Sequence, residues 1–299
     1  MLFIDSVYVL HSRNKTINFD MPTNILDRTN VPVAMTIAGS DSGGGAGIQA
    51  DLRTFAFHCV HGTSAITCVT AQNTLGVNRV DAMSPEAVAA QIEAVVTDIR
   101  VLAVKTGMLL NQEIIRTIAK KLAAMGFANV VVDPVMVSRT GAQLIDDDAV
   151  QSMTRLLLPL AAIATPNRYE AQILAGMEIA TLADMQQAAQ KILSLGVKTL
   201  LVKGGGMPGE LRGVDVWCED GQIEVLRTET VETPHTHGTG CTLSAAIAAN
   251  LALGKPKLIA VKDAKTYVTQ ALKHSLAIGK GQGPVGHFFP LLSAPPGLI

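Results

Sequence analysis

The sequence predicts an α/β fold built on a mostly parallel β-sheet whose strands are joined by crossover helices. From Val33 onward, short runs rich in β-branched residues alternate with longer amphipathic stretches. This alternation is typical of parallel strands connected by helices. Apolar residues make up 48% of the 299 residues and charged residues only 16%, which is enough to bury a large core. Because no repeat or long linker divides the chain, we predict a single domain over residues 31–299.

Six short apolar runs are predicted as buried strands, because each is rich in β-branched residues and ends near Gly, Pro or Asn. They cover residues 33–38, 63–71, 103–106, 130–133, 162–165 and 199–203. Between them, the amphipathic stretches 84–100, 113–125 and 182–195 are predicted helices. The first of these has a clear start, since Ser84 is a good N-cap and Pro85 and Glu86 suit the first helical turn.

Both ends of the chain depart from this alternation. Residues 214–218 and 222–230 flank the turn sequence Glu219-Asp220-Gly221 and are predicted to form a β-hairpin. Residues 239–253 and 258–278 are then predicted as two consecutive helices. Residues 1–30 are more polar and carry no recognisable motif, so we expect an extension of unknown role, either an extra edge element or a loosely held arm.

Composition excludes several classes of protein. Lys and Arg number 24 against 25 Asp and Glu, and aromatic residues make up 4%, so a basic or stacking surface for nucleic acids is not expected. No apolar run approaches the roughly 20 residues of a membrane helix, and the N-terminus lacks the pattern of a signal peptide. The cysteines form no CxxC pair and are expected to be reduced thiols. We therefore expect a soluble, cytoplasmic protein.

The first glycine-rich segment, GSDSGGGAG (39–47), follows the first predicted strand. Within it, Gly45, Gly47 and Ala50 match the dinucleotide fingerprint G-x-G-x-x-A, but residues 59–78 contain no acidic residue to hold a ribose. The segment is interpreted either as a tight turn or as a backbone clamp over a small ligand. No Walker A motif and no protein-kinase signature occurs in the chain.

The second glycine-rich segment, HGTGC (237–241), opens an alanine-rich predicted helix. Small residues leave backbone N–H groups free at a helix N-terminus, where the helix dipole also favours negative charge, so the segment predicts an anion site. Cys241 lies inside this site, and we expect its pKa to be lowered toward neutrality. His235 and His237 form an HxH pair, which lacks the third ligand of a metal site.

Eight motifs occur in order and with compatible spacing between residues 33 and 289. They are TIAGSDSGGGAGIQADLRT (36–54), VTAQNT (69–74), KTGML (105–109), DPVMVSRTG (133–141), TPNRYEA (165–171), VKGG (202–205), HTHGTGCT (235–242) and GKGQGPVGHF (279–288). Together they resemble the ribokinase-like superfamily, and within it the hydroxymethylpyrimidine/phosphomethylpyrimidine kinases of thiamine biosynthesis. The resemblance implies a central, mostly parallel sheet flanked by helices on both faces, and a homodimer. It also implies that ATP, with Mg²⁺, phosphorylates the pyrimidine alcohol and then its monophosphate.

The resemblance places the phosphoryl-transfer centre at residues 237–241. Cys241 stands where most of the superfamily carries an aspartate, and it is expected to activate the substrate hydroxyl. The amides of Gly238, Thr239 and Gly240 are expected to stabilise the migrating phosphoryl group, and Lys203 to place a positive charge on it. Phosphoryl transfer needs such positioning and charge neutralisation more than covalent chemistry. The alternatives are a small helix-packing residue at Cys241 and a solvated lysine at Lys203.

The resemblance also implies a site for magnesium and nucleotide. Asn167 and Glu170 match the N-x-x-E motif, in which the glutamate helps to hold Mg²⁺ through its water shell, and Asp133 adds a second carboxylate. Asn167 is expected to contact the nucleotide together with Lys203 and Thr239. The alternative interpretation of the pair is a helix-capping asparagine with an early glutamate.

Gln72 is the predicted specificity residue. A 4-aminopyrimidine offers an amino donor beside a ring-nitrogen acceptor, and a carboxamide can pair with both, as glutamine does with adenine. The alternative is a glutamine that satisfies backbone groups at a strand end. Asp51 is expected to be structural or to orient the substrate. Four residues are expected to line the ring pocket: Gly39, Val69, Met108 and Val135.

Three other functions stay open at this point. A pyridoxal or pyridoxine kinase of the same branch is the main alternative, because it would use the same cysteine centre. A nicotinamide-dependent oxidoreductase would rest on the fingerprint at Gly45, and the missing ribose acid counts against it. A non-catalytic small-molecule sensor with this fold is the third.

Overall fold

The computed structural model describes residues 9–12, 15–18, 30–136 and 145–292 of the chain. Two short strands form a separate antiparallel pair, and nine further strands form one sheet. In chain order the strands are β1 (Val9–Ser12), β2 (Lys15–Asn18), β3 (Val33–Asp41), β4 (His61–Gln72), β5 (Val77–Ala82), β6 (Ala103–Thr106), β7 (Val130–Val132), β8 (Ile163–Ala164), β9 (Thr199–Val202), β10 (Asp215–Glu219) and β11 (Gln222–Leu226).

The helices alternate with these strands, and five of those described, α2 to α6, begin at a side-chain cap. For example, Ser84 accepts a hydrogen bond from the amide of Ala87, and Asn111 accepts one from the amide of Ile114. In chain order the α-helices are α1 (Gly47–Phe57), α2 (Pro85–Val96), α3 (Gln112–Met125), α4 (Asp147–Ser152), α5 (Arg168–Ala175), α6 (Leu182–Leu193), α7 (Thr239–Ala252), α8 (Lys257–Lys273) and α9 (Phe289–Leu292). Within the described ranges, no helix is long and apolar enough to cross a membrane.

The strand order of the main sheet is β11-β10-β9-β8-β7-β6-β3-β4-β5. Strands β4, β3, β6, β7, β8 and β9 are parallel, whereas β5, β10 and β11 pair antiparallel at the two edges. The chain passes from β3 to β4 on one side and then returns to β6 on the other side of β3. Ligands of open α/β sheets bind at such a reversal, beyond the carboxyl ends of the strands.

Helices cover both faces of the sheet because successive strand residues point to opposite sides. On one face, Met35 and Val104 pack in a core with α2, α3 and α6. On the other face, Ala34 and Ala103 pack in a second core with α1, α7 and α8. The sheet is therefore buried on both sides, as expected for parallel strands.

The predicted α/β class is confirmed, and each predicted strand and helix is present with shifts of a few residues at its ends. The predicted hairpin is β10–β11. Strand β5 was missed because all its residues are exposed, so it has no apolar run. Residues 1–30 lie largely outside the described part of the chain. Their role and the single domain stay predictions.

Candidate active site

The polar residues of the predicted site lie at the carboxyl edge of the parallel strands. Asp41 ends β3, Gln72 ends β4, Asp133 follows β7 and Lys203 follows β9. The N-terminus of α7 reaches the same edge, since a Cβ atom on Gly240 would lie 3.5 Å from Nζ of Lys203. The structure therefore brings together residues that are far apart in the sequence.

The N-terminus of α7 is built for close approach. Gly238 has φ of 81°, and a Cβ atom there would lie 1.8 Å from the carbonyl oxygen of Gly45. Only glycine fits this position. No side chain caps this helix end and its first turn holds no acidic residue, so the helix dipole and its N–H groups favour an anion here. Thr239, Gly240 and Cys241 form that first turn.

The ionisation of Cys241 differs from the sequence-based prediction. Burial raises the pKa of the thiol to about 11, and the carboxylates of Asp51 and Asp133 add to this increase. The Lys105 ammonium and the Gly47 amide act in the opposite direction but do not prevail. The prediction of a lowered pKa is therefore wrong, because loss of hydration outweighs the helix dipole at this position.

A fully buried ion pair lies on one side of Cys241. Nζ of Lys105 donates to both carboxylate oxygens of Asp51, at 3.0 and 2.8 Å, and Oγ1 of Thr36 donates to the same carboxylate at 2.6 Å. Both charged side chains have 0% exposure. Burial disfavours the ammonium, but the charge and hydrogen bond of Asp51, together with the charges of Cys241 and Asp133, outweigh this and raise the pKa of Lys105. Lys105 had no predicted role, although it begins the KTGML motif. Of the two roles expected for Asp51, these contacts support the structural one.

A second ion pair lies on the other side, at the predicted transfer centre. Nζ of Lys203 donates to Oδ1 of Asp133 at 2.7 Å, and their side chains are 11% and 3% exposed. Thr165 and Ser244 donate to the same carboxylate. Burial works against the Lys203 charge, but Asp133 and Glu170 together raise the pKa of Lys203. The lysine is therefore not freely solvated, which disfavours the alternative interpretation.

Asn167 and Glu170 form a capping box at the start of α5. The amide of Glu170 donates to the Asn167 side chain at 3.0 Å, and the amide of Asn167 donates to the Glu170 carboxylate at 2.7 Å. Burial and the nearby Asp133 raise the pKa of Glu170 to about 8, although Lys203 acts against this. The capping interpretation is thus observed, and a magnesium role stays a prediction alongside it.

The predicted ring-pocket residues are only partly brought together. Gly39 lies beside Met108, since a Cβ atom on the glycine would lie 3.0 Å from Cε of Met108. Val135 is half-buried and follows Asp133 by two residues. Val69 pairs with Ser40 across β3 and β4 and is 44% exposed. Lining of a pocket by these four residues stays a prediction.

Asp41 and His237 connect the two glycine-rich loops, and sequence reasoning assigned neither a role. Oδ2 of Asp41 accepts hydrogen bonds from Gly45, from Ala46 and from Nε2 of His237 at 2.9 Å, and Oδ1 accepts one from Gly43. Burial favours the neutral acid, but the bonds from His237 and the loop amides hold the pKa of Asp41 below its ordinary value. Both residues lie in the glycine-rich segments that the sequence singled out, and His237 is also part of the HxH pair.

A cleft of about 500 Å³ opens next to Lys203 and α7. Gly204, directly before the lining residues, donates through its amide to Asp215, which also accepts a hydrogen bond from Lys265. Six of its ten lining residues, 205–209 and Arg212, come from the glycine-rich segment after β9, and the other four are Thr233, Pro234, Thr236 and Gln282.

An anion site at a helix N-terminus, a lysine at a neighbouring strand end and an adjoining open cleft define a small-molecule kinase, and the fold is ribokinase-like. A sequence model of the phosphomethylpyrimidine kinase family matches residues 41–286. The chain therefore belongs to this family.

Similar proteins agree with the family. A hydroxymethylpyrimidine/phosphomethylpyrimidine kinase of Synechococcus elongatus is 62% identical over 261 residues, which cover 87% of this chain and 99% of that protein. The phosphomethylpyrimidine kinase of Clostridium difficile has a TM-score of 0.72 and 42% identity, covering 80% of this chain and 99% of that one. An ADP complex of Bacillus subtilis pyridoxal kinase has a TM-score of 0.81 and 40% identity, covering 86% and 98%.

Proposed function

We propose that the chain transfers the γ-phosphoryl group of ATP to 4-amino-5-hydroxymethyl-2-methylpyrimidine, and then a second phosphoryl group to the resulting monophosphate. The observation that carries this proposal is the uncapped N-terminus of α7 beside the Lys203–Asp133 pair. The 62% identity to a hydroxymethylpyrimidine/phosphomethylpyrimidine kinase supports the substrate.

In the first step, the substrate hydroxyl oxygen forms a bond to the γ-phosphorus while the bond from this phosphorus to the β,γ-bridging oxygen breaks. Cys241 lies at the start of α7, and its thiolate form, the minor form at neutral pH because of the raised pKa, can accept the hydroxyl proton. The N–H groups of Gly238 and Gly240 face the migrating phosphoryl group, and Lys203 neutralises its charge. The Thr239 N–H donates to the Thr236 carbonyl at 3.3 Å and would leave this bond to join them. ADP leaves with the electron pair of the broken bond.

The open cleft suits the base and ribose of the nucleotide, because it begins two residues after Lys203 and reaches Thr236, just before α7. The complex of B. subtilis pyridoxal kinase with ADP supports an adenine nucleotide. Asn167, Lys203 and Thr239 would contact its phosphates.

Glu170 and Asp133 fit a magnesium ion. Both are carboxylates in a buried environment, and the raised pKa of Glu170 shows that its charge lacks a sufficient partner. Mg²⁺ prefers such oxygen ligands, few in number, and keeps several waters. Bound there, the ion would neutralise charge on the nucleotide phosphates.

Replacement of Glu170 tests this assignment. We expect Glu170→Gln to raise the magnesium concentration required for half-maximal turnover and to lower turnover, with pyrimidine binding nearly unchanged. Titration of activity against MgCl₂, with pyrimidine affinity from calorimetry, measures both effects. An unchanged magnesium requirement would remove Glu170 from the metal site.

A pyridoxal kinase is the second candidate, favoured by the likeness to pyridoxal kinases of B. subtilis and of Staphylococcus aureus. Phosphate-product analysis with ATP and Mg²⁺ separates the two when the pyrimidine alcohol and pyridoxal are compared side by side. We expect mono- and then diphosphate of the pyrimidine, with a lower kcat/KM for pyridoxal. A higher kcat/KM for pyridoxal would overturn the proposal.

We also infer a homodimer, as the resemblance implies. Exposed apolar residues at the β4–β5 edge support this inference, because a second copy would cover them: Val69, Leu75, Val77 and Val80. Sedimentation equilibrium measures the oligomeric state. A cytoplasmic location remains an expectation from the same resemblance.

A further inference from the structure

The imidazole of His237 lies between the carboxylate of Asp41 and the carboxamide of Gln72. Its Nε2 atom is 2.9 Å from Oδ2 of Asp41 and 3.3 Å from the Gln72 side-chain amide. Asp41 is held by three backbone amides of the first glycine-rich loop and its side chain is only 4% exposed. The partner of the imidazole is therefore fixed in place.

The imidazole itself is confined by the same loop. A Cβ atom on Gly45 would lie 2.2 Å from Cδ2 of His237, so the ring packs directly on the backbone. On the other side of the site, the Ser42 hydroxyl donates to the backbone carbonyl of Gln72 and accepts from the backbone N–H of Gln72, both at 2.8 Å. Both residues are thus positioned by the loop between β3 and α1.

The protons at this junction decide which way the carboxamide faces. A carboxylate only accepts hydrogen bonds, so Nε2 of His237 must carry a hydrogen, whether the ring is neutral or charged. That nitrogen then has no lone pair to accept from an amide NH₂ group. The oxygen and nitrogen of a glutamine side chain exchange places by a half-turn, and the hydrogen-bond network decides between them. The structure places the Gln72 nitrogen on this side, where it would meet an N–H group, so the amide oxygen fits here better and we assign the two ends of the amide in the exchanged orientation.

The other end of the amide leads to the same orientation. Oγ1 of Thr70 has one hydrogen and two groups that can accept it, the carbonyl of Ser40 at 3.0 Å and the Gln72 side-chain amide at 3.2 Å. The Oγ1 atom uses this hydrogen for the shorter contact, to Ser40. It can then only accept from Gln72, which requires the NH₂ group on that side. Both neighbours favour one orientation of the amide.

We propose that His237, held by Asp41, is a positioning residue that fixes the carboxamide of Gln72 and thereby selects 4-aminopyrimidines over 4-oxopyrimidines. This inference rests on the proposed function, in which Gln72 binds the pyrimidine edge. A 4-amino ring presents a donor beside an acceptor, whereas a 4-oxo ring presents the reverse order. If the Gln72 carboxamide could rotate freely, it could form both hydrogen bonds with either ring. Held in one orientation, it can form both only with the 4-amino ring.

The test compares kcat/KM for the 4-amino alcohol and for its 4-oxo analogue in matched variants. We expect the wild type to prefer the 4-amino alcohol by about tenfold to a hundredfold, the cost of a mispaired buried polar group. His237→Leu should lower this preference at least about tenfold, because the amide can then turn. His237→Gln keeps an N–H donor at similar reach and should retain the preference.

Two results would overturn the inference: an unchanged preference in His237→Leu, and an equal fall of kcat/KM for both alcohols, which would indicate a structural role. Should His237→Leu fail to fold, His237→Ala removes the same ring without filling its space against Gly45, and an unchanged preference there has the same meaning. Gln72→Leu should abolish the preference altogether. A wild type that phosphorylates neither alcohol would instead overturn the proposed function, and the inference with it.

Discussion

Two buried lysine–aspartate pairs flank Cys241, and they differ in solvent exposure and in the number of hydrogen bonds between lysine and aspartate. Lys105 makes two hydrogen bonds to Asp51, and both side chains are completely excluded from solvent. Lys203 makes one hydrogen bond through Nζ among the described residues, to Asp133, and remains 11% exposed beside the open cleft. We call Lys105–Asp51 the closed pair and Lys203–Asp133 the open pair; both lie at one edge of the sheet.

The difference teaches which pair is available for chemistry. A buried pair must offset a desolvation cost of several kcal/mol, so a pair that is sealed from solvent and hydrogen-bonded through both carboxylate oxygens is expected to be structural. The open pair keeps N–H groups of a raised-pKa lysine next to the N-terminus of α7, where an anion is favoured. The four predictions below test this distinction, from the largest expected effect to the smallest.

Removal of the thiol between the two pairs should have the largest effect. We expect Cys241→Ala to lower turnover by about 10²–10⁴, the usual contribution of general acid–base catalysis. Binding of the pyrimidine should change far less, because the anion site and Gln72 remain. Steady-state kinetics at saturating substrate measures the effect. Cys241→Asp should recover part of the rate, whereas nearly full turnover in the alanine variant would mean that catalysis depends on Lys203 and the helix N-terminus alone.

Breaking the closed pair should mainly destabilise the fold. Lys105→Met leaves the Asp51 charge buried without its partner, and we expect the free energy of unfolding to fall by about 3–5 kcal/mol. Urea denaturation measures this change. The double variant Asp51→Leu/Lys105→Met should regain most of the loss, since an apolar pair of similar size is often as stable. A loss below about 1 kcal/mol in the single variant, typical of an exposed pair, would contradict the assignment.

Breaking the open pair should mainly reduce turnover. Lys203→Met removes a charge from the transferring phosphoryl group, so turnover should fall by about 10²–10³. The loss of stability should be smaller than in Lys105→Met, because Thr165 and Ser244 still donate to Asp133. Lys203→Arg is the matched control that keeps the charge. Normal turnover combined with a large loss of stability would show that the two pairs have the same role.

The reactivity of Cys241 should follow its raised pKa. With a pKa of about 11, the thiol is protonated at neutral pH, and only the thiolate reacts with iodoacetamide. The alkylation rate should therefore rise about tenfold per pH unit between pH 7 and pH 10, and ATP with the pyrimidine should protect. The Cys241→Ala variant provides the background from Cys59, Cys68 and Cys218. A rate that levels off near pH 8 would instead support a lowered pKa.

Much of the site was predictable because short motifs carry local geometry. The start of α7 at Thr239 and the pairing of Asn167 with Glu170 depend on residues within a few positions of one another. Lys203 and Asp133 were also identified, through the resemblance of their motifs to a known family. These motifs could not predict the solvent exposure of each side chain, such as that of Val69 at the β4–β5 edge.

By itself, the sequence determined the alternation of strands and helices, the places where helices begin and the family to which the chain belongs. These follow from periodicity, capping and glycine placement, which act over a few residues. The tertiary structure alone decided the pKa of Cys241, the closing of the Lys105–Asp51 pair and the bridge from His237 to Asp41. The partners in the two contacts are 54 and 196 residues apart. These three properties depend on desolvation and on hydrogen bonds between segments that are distant in the sequence. A local sequence pattern cannot encode them.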